Sequence, residues 1–299
     1  MYDTTTQDEN QSRADNKRPV GSHRPPLRPL EADSLLCPIP KLCDFGVLQA
    51  YQDEIFANLV ATEERSQPRA DYMSQQSDIN YKMRAILVDW LVSVHLKFKL
   101  MPETLFLTVN LVDRYLCRRV VTRQQLQLVG VTGMLLACKY EEIYPPDIKE
   151  FVYITDKAYT REQVLQMEGE MLSTLEFGLT FPSAWRFLER SVRLADLEET
   201  YRYFARYLLE LALVEYHMLK HRASLIAAAV TYIAMKVQHR ESVWTLPLTT
   251  ATQYTETQLQ PAVKDLLVLY QAAPRHTLTG VKDKFARRDY LEVSKLRLE

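Results

Sequence analysis

The stretch MRAILVDWLVSVHLKFKL, residues 83–100, predicts the clearest helix of the chain. Its apolar residues recur at intervals of three and four from Met83 onwards, which is the spacing of one helical face. Ala85, Val88 and Val92 form a second apolar side. A helix that is apolar on more than one side is either buried in a core or offers a face to a partner. We therefore expect this helix to be buried or to bind another protein.

Periodic apolar patterns on both sides of this stretch predict further helices. Upstream, Tyr51, Ile55 and Leu59 form one stripe of a first helix, which Pro68 should end. Downstream, a second helical block extends over residues 182–273 without strand-like alternation. The helices predicted between these two regions, besides the opening stretch, cover residues 103–117, 123–141, 146–154 and 161–175.

Three of the predicted helices are preceded by residues that suit a helix start. Thr122 with Gln125, and Thr160 with Gln163, have the spacing of a capping box, in which a hydroxyl and an amide bind otherwise unpaired backbone N–H groups. Ser183 is the predicted N-cap of the second block.

The two helical blocks align with each other without a gap. LVGVTGMLLACK (128–139) matches LIAAAVTYIAMK (225–236), and the same offset matches LFLTVNLVDRYL (105–116) to RYFARYLLELAL (202–213). Small residues in the first pair would let neighbouring helices approach closely. Two buried helices can also look alike by chance, because they share a composition. The alignment favours a duplicated five-helix unit, and therefore an all-α protein with a helix before two tandem bundles.

The composition excludes several classes of protein. Of 299 residues, 47% are hydrophobic and 25% are charged, which is ordinary for a globular protein and excludes disorder over most of the length. The net charge of −1 argues against a protein that binds nucleic acid phosphates. With 7 Gly against 14 Pro, the chain has few residues for Gly-rich phosphate loops, and helices are favoured.

The cysteines and the first residues bear on compartment and metal content. Cys37, Cys43, Cys117 and Cys138 form no C-x-x-C pair, so we expect no metal site, and such scattered thiols suit a reducing compartment. The opening MYDTTTQDENQSR is unlike a signal peptide, and the apolar runs are far shorter than the ~20 residues of a membrane span. We expect a protein of the nucleus and cytoplasm, with a disordered, proline-rich arm at residues 1–43.

Four motifs of the first block form a set: MRAILVDWLVSVHLKFKL (83–100), LVDRYL (111–116), LACKYEEIYPP (136–146) and FVYIT (151–155). Together they resemble the cyclin box, and most closely that of the mitotic, A- and B-type cyclins. The resemblance covers about residues 45–290 and continues more weakly at LKHRASLIAAAV (219–230).

The resemblance implies a fold and a role. The fold is two tandem five-helix cyclin boxes with a preceding N-terminal helix. The role is that of a regulatory subunit, with no catalysis and no cofactor, that binds and activates a cyclin-dependent Ser/Thr kinase, helps to select its substrates and controls mitotic progression. The expected regions are an arm (1–43), a helix and linker (44–80), two boxes (81–180 and 181–275) and a C-terminal extension (276–299).

The resemblance also implies a kinase-binding surface with Lys139 and Glu168 as its polar centre. In cyclins, the residues at these two positions pair and hydrogen-bond to the backbone near the regulatory C-helix of the kinase. A Lys or Glu at the edge of an apolar stripe would otherwise suggest a solvated helix face. The other implied kinase-binding residues, which without the family would be ordinary core or surface residues, are Tyr140, Glu141, Leu172, Phe177, Leu179, Tyr51 and Ile55.

A second implied surface is an apolar patch that docks Arg-x-Leu motifs of substrates or inhibitors. An exposed apolar patch on a soluble protein usually marks a binding site, although this stripe could equally be core. Ser93 stands where A-type cyclins have an acid that attracts the arginine, so we expect weaker or altered docking. The implied patch residues are Met83, Ile86, Leu87, Trp90, Leu126 and Gln127.

Two charged residues on otherwise apolar helices are predicted to pair inside the first bundle. Arg84 and Asp113 occupy core-facing positions, where charges are tolerated only when they are paired and hydrogen-bonded. The cyclin resemblance agrees with a structural ion pair at these positions.

The arm contains one short motif of possible regulatory use. Arg24, Leu27 and Leu30 fit the pattern Arg-x-x-Leu-x-x-Leu, which resembles a destruction box recognised by the ubiquitin ligase of mitosis. Such motifs are short and match by chance, and an extended, proline-held backbone would suit this one.

Other functions are less well supported by the residues. The sequence has no Gly-rich phosphate loop, nucleophile elbow or metal cluster, which argues against an enzyme. A DNA-binding protein of the same fold, like the general transcription factor with tandem cyclin boxes, would need basic stripes. A transcriptional cyclin would share the kinase mechanism but usually departs from the MRAIL-type helix. Co-purification with a kinase, against retention on a DNA column, would discriminate between these hypotheses.

Overall fold

A computed structural model describes residues 46–238 and 244–296 of the chain. Over these two ranges the protein consists of twelve α-helices with loops and short 3₁₀ turns between them, and no strand occurs there. The all-α prediction is therefore confirmed. Among the helices described, none combines the length and the apolar character needed to span a membrane.

One helix precedes two sets of five, as the repeat predicts. The first helix and the first set are α1 Gly46–Ser66, α2 Tyr81–Phe98, α3 Pro102–Leu116, α4 Arg123–Glu141, α5 Ile148–Ile154 and α6 Arg161–Thr174. The second set is α7 Ala184–Leu194, α8 Glu199–Val214, α9 Ala223–Val237, α10 Leu246–Thr252 and α11 Glu256–Ala272, and a short α12, Gly280–Phe285, follows it.

The predicted helix starts form as their side chains suggest. Both capping boxes are present, at Thr122 with Gln125 and at Thr160 with Gln163. In the second of these, the Thr160 amide donates to the Gln163 side-chain oxygen at 2.8 Å. The Ser183 hydroxyl accepts a hydrogen bond from the third amide of α7 at 3.1 Å. These contacts satisfy backbone donors that have no partner within the helix.

Helix α5 begins later than the sequence predicts. The prediction placed its start at Pro146, whereas Asp147 is the N-cap and its carboxylate accepts from the Lys149 amide at 3.2 Å. Because the backbone of this capping residue is extended, the helix begins only after Asp147.

Helix α4 is the central helix of the first bundle, and its glycines allow close packing. A Cβ atom on Gly130 would lie 2.6 Å from Leu87 Cδ1, and one on Gly133 would lie 3.0 Å from Val112 Cγ2. Interiors packed at this density leave no room for an added methyl group. In α9, the matching helix of the second bundle, alanines such as Ala227 are fully buried in the same way.

The stripe predicted for α1 is not the face that packs. Tyr51 and Ile55 are about half exposed, and only Leu59 of that stripe packs against the second bundle. The buried side of α1 carries Phe56 and Glu63 instead. The difference arises because α1 packs on the second bundle through residues one position further along the helix.

The region expected as a C-terminal extension contains α12, which packs against α2 and α8. Val281 and Phe285 of this helix are buried, and the Gly280 amide donates to Asp89 Oδ1 of α2 at 2.8 Å. A Cβ atom on Gly280 would lie 2.8 Å from the Asp89 carbonyl oxygen, so this close approach requires glycine. Helix α12 therefore links the C-terminal region to the first bundle.

Candidate functional site

Lys139 and Glu168 form an ion pair at the surface of the first bundle. Lys139 lies in the last turn of α4 and Glu168 in the middle of α6, and the Lys139 Nζ and Glu168 Oε1 atoms are 2.6 Å apart. The Lys139 side chain is 48% exposed. An exposed ammonium next to a fixed carboxylate can bind carbonyl and N–H groups at a helix end of a partner.

Apolar and aromatic side chains lie on the same chain segments as this pair, in the last turn of α4 and around the end of α6. Phe177 is 71% exposed, while Leu172 and Leu179 are partly buried against the first core. Tyr140 is half exposed, and its hydroxyl shares a hydrogen bond of 2.5 Å with the Thr180 hydroxyl. Phe177 and Tyr140 therefore expose aromatic surface, and aromatic residues are enriched at protein-binding sites.

Glu141 adds a further carboxyl group close to the ion pair in sequence. It is partly buried, and burial together with the nearby negative charge of Glu103 raises the pKa of its carboxyl group. A raised pKa means that the charged form is disfavoured until a cation or donor approaches.

The internal ion pair lies at the junction of the two bundles. Arg84 Nε and Nη2 donate to the two carboxylate oxygens of Asp113 at 2.7 Å each, and both side chains are almost fully buried. The Arg84 Nη1 atom donates to the carbonyl oxygens of Leu213 and Val214, at the end of α8. The structure thus brings together the two charges predicted from sequence and adds partners from the second bundle.

The apolar patch predicted on α2 divides into surface and core residues. Ile86 is 57% exposed, and Met83, Trp90 and Gln127 are partly exposed. Leu87 and Leu126, also predicted for the patch, are largely buried. Leu87 is 6% exposed and Leu126 is 5% exposed, because α2 packs closely on α4 at Gly130.

Two family models match this chain. The model for the cyclin N-terminal domain matches residues 54–180, and the model for the cyclin C-terminal domain matches residues 182–298. The chain belongs to the cyclin family. The resemblance stated from the motifs is therefore confirmed.

B-type cyclins are among the similar curated proteins. This cyclin is 47% identical over 236 residues to Cyclin-B2-1 of Oryza sativa subsp. japonica, a match that covers 79% of the chain and 56% of the rice protein. It is 40% identical over 301 residues to Cyclin-B2-1 of Arabidopsis thaliana, covering 96% and 70%. It is 41% identical over 255 residues to G2/mitotic-specific cyclin-B of Hydra vulgaris, covering 85% and 69%. The chain thus spans little more than half the length of its rice relative.

Solved structures share the fold of this cyclin. A viral cyclin from herpesvirus saimiri superposes with a TM-score of 0.64 at 19% identity, covering 72% of this chain and 96% of the other. A chain of the CAK complex of Chaetomium thermophilum bound to ATP-γ-S superposes with a TM-score of 0.50 at 14% identity, covering 83% and 90%.

Sequence reasoning missed a buried residue that helps to fasten α1 to the second box of this cyclin. The Glu63 carboxylate is buried and accepts hydrogen bonds from the amide and the hydroxyl of Ser224, at 2.7 Å each. Glu63 therefore caps α9 from a distant part of the chain and orients the helix that carries Tyr51 and Ile55. The signal in the sequence is an acid seven residues, or two helical turns, after Phe56, on the side of α1 that packs.

Two further expectations concern a metal site and the destruction box. Within residues 46–238 and 244–296, no group of three or more potential ligands could hold a metal ion. The predicted destruction box, Arg24, Leu27 and Leu30, lies outside the described residues of this cyclin.

Proposed function

We propose that this cyclin is the regulatory subunit of a cyclin-dependent Ser/Thr kinase and acts in mitosis. The proposal is supported by its similarity to proteins named G2/mitotic-specific cyclin-B and by family membership. The single observation that carries it is the surface ion pair of Lys139 and Glu168, on a bundle that also exposes Phe177 in the turn after α6. Such a surface can bind a helix end and an apolar segment together.

The mechanism is a shift in population and involves no reaction on the cyclin. The regulatory helix of the kinase samples active and inactive positions, and a partner that binds the active position better increases its population. In the active position the Lys–Glu ion pair of the kinase can form, which phosphoryl transfer requires. The cyclin supplies surface complementarity, with Tyr51 and Ile55 of α1 as apolar contacts, and is itself not an enzyme.

Replacing Lys139 with alanine should weaken kinase binding without unfolding the protein. The kinase is identified by pull-down and mass spectrometry, and its affinity is then measured with purified proteins. Loss of a central ion-pair residue should lower the affinity by about thirtyfold. Glu168→Ala should act similarly and should reduce histone phosphorylation by the complex.

Lys236→Ala is the matched control, because Lys236 occupies the repeat-related position in α9 and is exposed. It should leave both affinity and melting temperature unchanged. If wild-type protein captures no kinase, or if Lys139→Ala and Lys236→Ala behave alike, the proposed function is wrong.

We also propose that the exposed part of the α2 patch docks Arg-x-Leu segments of substrates or inhibitors. Ile86, Met83 and Trp90 offer apolar surface beside the polar Gln127. Ser93 is exposed and carries no charge, so the arginine of the motif lacks an acid at this position.

Trp90→Ala should reduce the affinity for a fluorescent Arg-x-Leu peptide by about tenfold, since buried aromatic anchors dominate such contacts. Tyr144→Ala is the control, because this tyrosine is 88% exposed on the loop after α4. Ser93→Glu should strengthen binding at low salt. Peptide binding that ignores Trp90→Ala would exclude this docking site.

Two further proposals concern regulation and compartment. We propose that the ubiquitin ligase of mitosis recognises Arg24, Leu27 and Leu30, and that the protein acts in the nucleus and cytoplasm. Persistence of the protein through mitosis in cells would exclude the first, and imaging of the tagged protein tests the second.

A further inference from the structure

The turn that follows α6 holds an exposed aromatic side chain on an unfavourable backbone. Glu176 and Phe177 both have left-handed conformations, with φ of 55° and 56°. This conformation costs free energy for residues other than glycine and persists only where neighbouring groups impose it. Because Phe177 is 71% exposed, burial of its ring in this chain does not supply the compensation.

Part of the compensation comes from hydrogen bonds within the turn. The Phe177 amide donates to the Leu172 carbonyl at 3.0 Å, and the Gly178 amide donates to the Leu175 carbonyl at 3.0 Å. These bonds satisfy donors and acceptors at the end of α6, as in other helix termini with left-handed residues. The Gly178 carbonyl oxygen takes no part in these bonds and accepts its hydrogen bond from a residue outside the turn.

That partner is Arg114 of the neighbouring helix α3. Its Nη1 atom donates to the Gly178 carbonyl oxygen at 2.7 Å, a distance typical of a strong charge-assisted hydrogen bond. A Cβ atom on Gly178 would lie 3.4 Å from Arg114 Nη2 and 3.2 Å from the Leu175 carbonyl oxygen. The guanidinium group therefore lies directly against the glycine, and an added Cβ atom would touch it while crowding the Leu175 carbonyl oxygen.

A second arginine of the same helix end supports the other side of the turn. Arg118 Nη1 donates to the Thr174 carbonyl oxygen, and it lies 3.3 Å from a carboxylate oxygen of Glu176. The turn is thus held on both sides by cations from the last turn of α3 and from the residues that follow this helix.

We propose that Arg114 is a positioning residue for kinase binding, which fixes the turn that presents Phe177 and Leu179 to the kinase. This inference rests on the proposed function. Arg114 acts through the turn, because its guanidinium group is directed to the Gly178 carbonyl. The sequence LVDRYL therefore contributes two different functions: Asp113 stabilises the interior, and Arg114 prepares the binding surface.

A double-mutant cycle with Phe177 tests the inference. Arg114→Met keeps the length of the side chain and removes its donors, and should lower kinase affinity about tenfold, the effect of losing a charge-assisted hydrogen bond. Phe177→Ala removes the side chain that the turn presents. In the Phe177→Ala background, Arg114→Met should cause little further loss, because the two residues act as a unit. The kinase used is the one captured by the wild-type protein.

Three variants make the result decisive. Arg114→Lys should restore part of the affinity, because lysine keeps the charge but not the planar donor geometry. Arg123→Met is the control at an exposed arginine that pairs with Asp78, and should leave affinity unchanged. Should Arg114→Met fail to fold, Gly178→Ala tests the same turn, since its Cβ atom would crowd the Leu175 carbonyl oxygen at 3.2 Å and touch the guanidinium group at 3.4 Å.

Additive losses in the cycle would overturn the inference, as would unchanged affinity in both Arg114→Met and Gly178→Ala. Lys139→Ala, measured in parallel, distinguishes a failure of the positioning role from a failure of the proposed function. If Lys139→Ala weakens binding and the Arg114 and Gly178 variants do not, only the positioning role fails. If wild-type protein binds no kinase, the function itself fails.

Discussion

Arg84→Met should lower the free energy of unfolding by about 3–5 kcal/mol, the usual cost of leaving one partner of a buried ion pair alone. The reason is that the Asp113 carboxyl group would lose its cationic partner in a site that is almost completely shielded from water. The Tyr72 hydroxyl, which donates to Asp113 at 2.7 Å, cannot neutralise it. Urea unfolding at neutral pH measures the change, and the melting temperature should fall in parallel.

The loss extends beyond the first box, because Arg84 also holds the end of α8. Its Nη1 atom donates to the carbonyl oxygens of Leu213 and Val214 at 3.2 and 3.0 Å. With methionine at this position, both carbonyl groups lose a charged donor. We therefore expect the two boxes to lose part of their mutual stabilisation, and the unfolding transition to broaden.

Two controls distinguish the burial of charge from the loss of a contact. The double variant Arg84→Met/Asp113→Leu lacks both charges. Its loss of unfolding free energy should be smaller than the sum of the losses in the two single variants, because no unpaired charge is left. Arg123→Met breaks a surface pair of the same 2.7 Å length and should cost under about 1 kcal/mol. Equal losses for Arg84→Met and Arg123→Met would contradict the argument.

Local signals in the sequence were sufficient to predict most of the fold. Helix α4 begins and ends at the predicted residues, because the capping box at Thr122 and the unbroken apolar pattern are both local. Helix α5 was less well predicted, since the capping role of Asp147 competes with the adjacent proline. The repeat of the two boxes was visible because both central helices need small residues at the same positions.

The candidate site depends on differences that no local pattern contains. Leu175 and Phe177 are both apolar and only two residues apart, yet Leu175 is 1% exposed and Phe177 is 71% exposed. The left-handed backbone of Glu176 and Phe177 separates core from surface, and neither of these residues is a glycine that would mark such a turn. Family resemblance identified Phe177 and the Lys139–Glu168 pair, whereas periodicity alone could not.

Contacts between distant residues were beyond prediction for a similar reason. Glu63 and Ser224 are 161 residues apart, and each alone looks like an ordinary surface residue of a helix. The same holds for Glu210 of α8 and Lys284 of α12, 74 residues apart, which are both completely buried. A sequence gives the residue type at each position, but only the tertiary packing decides which charges face each other.

The Glu210 site is a buried cluster of one acid and two bases. Lys284 Nζ lies 2.8 and 2.7 Å from the two carboxylate oxygens of Glu210, and Arg206 Nε lies 3.2 Å from one of them. Burial, together with the positive charge of Arg206, lowers the pKa of Lys284 to about 8. Glu210 therefore compensates two cations, and the C-terminal helix α12 is attached to the second box through it.

Glu210→Gln should destabilise the protein by about 3–5 kcal/mol, because it leaves two buried cations next to each other without a counter-charge. Lys284→Met should cost clearly less, since Glu210 keeps its pair with Arg206. Lys295→Met is the control in the same C-terminal region, where Lys295 forms an exposed pair with Glu292. Denaturant unfolding of the three variants gives the comparison. If Lys284→Met costs as much as Glu210→Gln, the contact of Lys284 itself, and not the balance of charge, stabilises this end of the molecule.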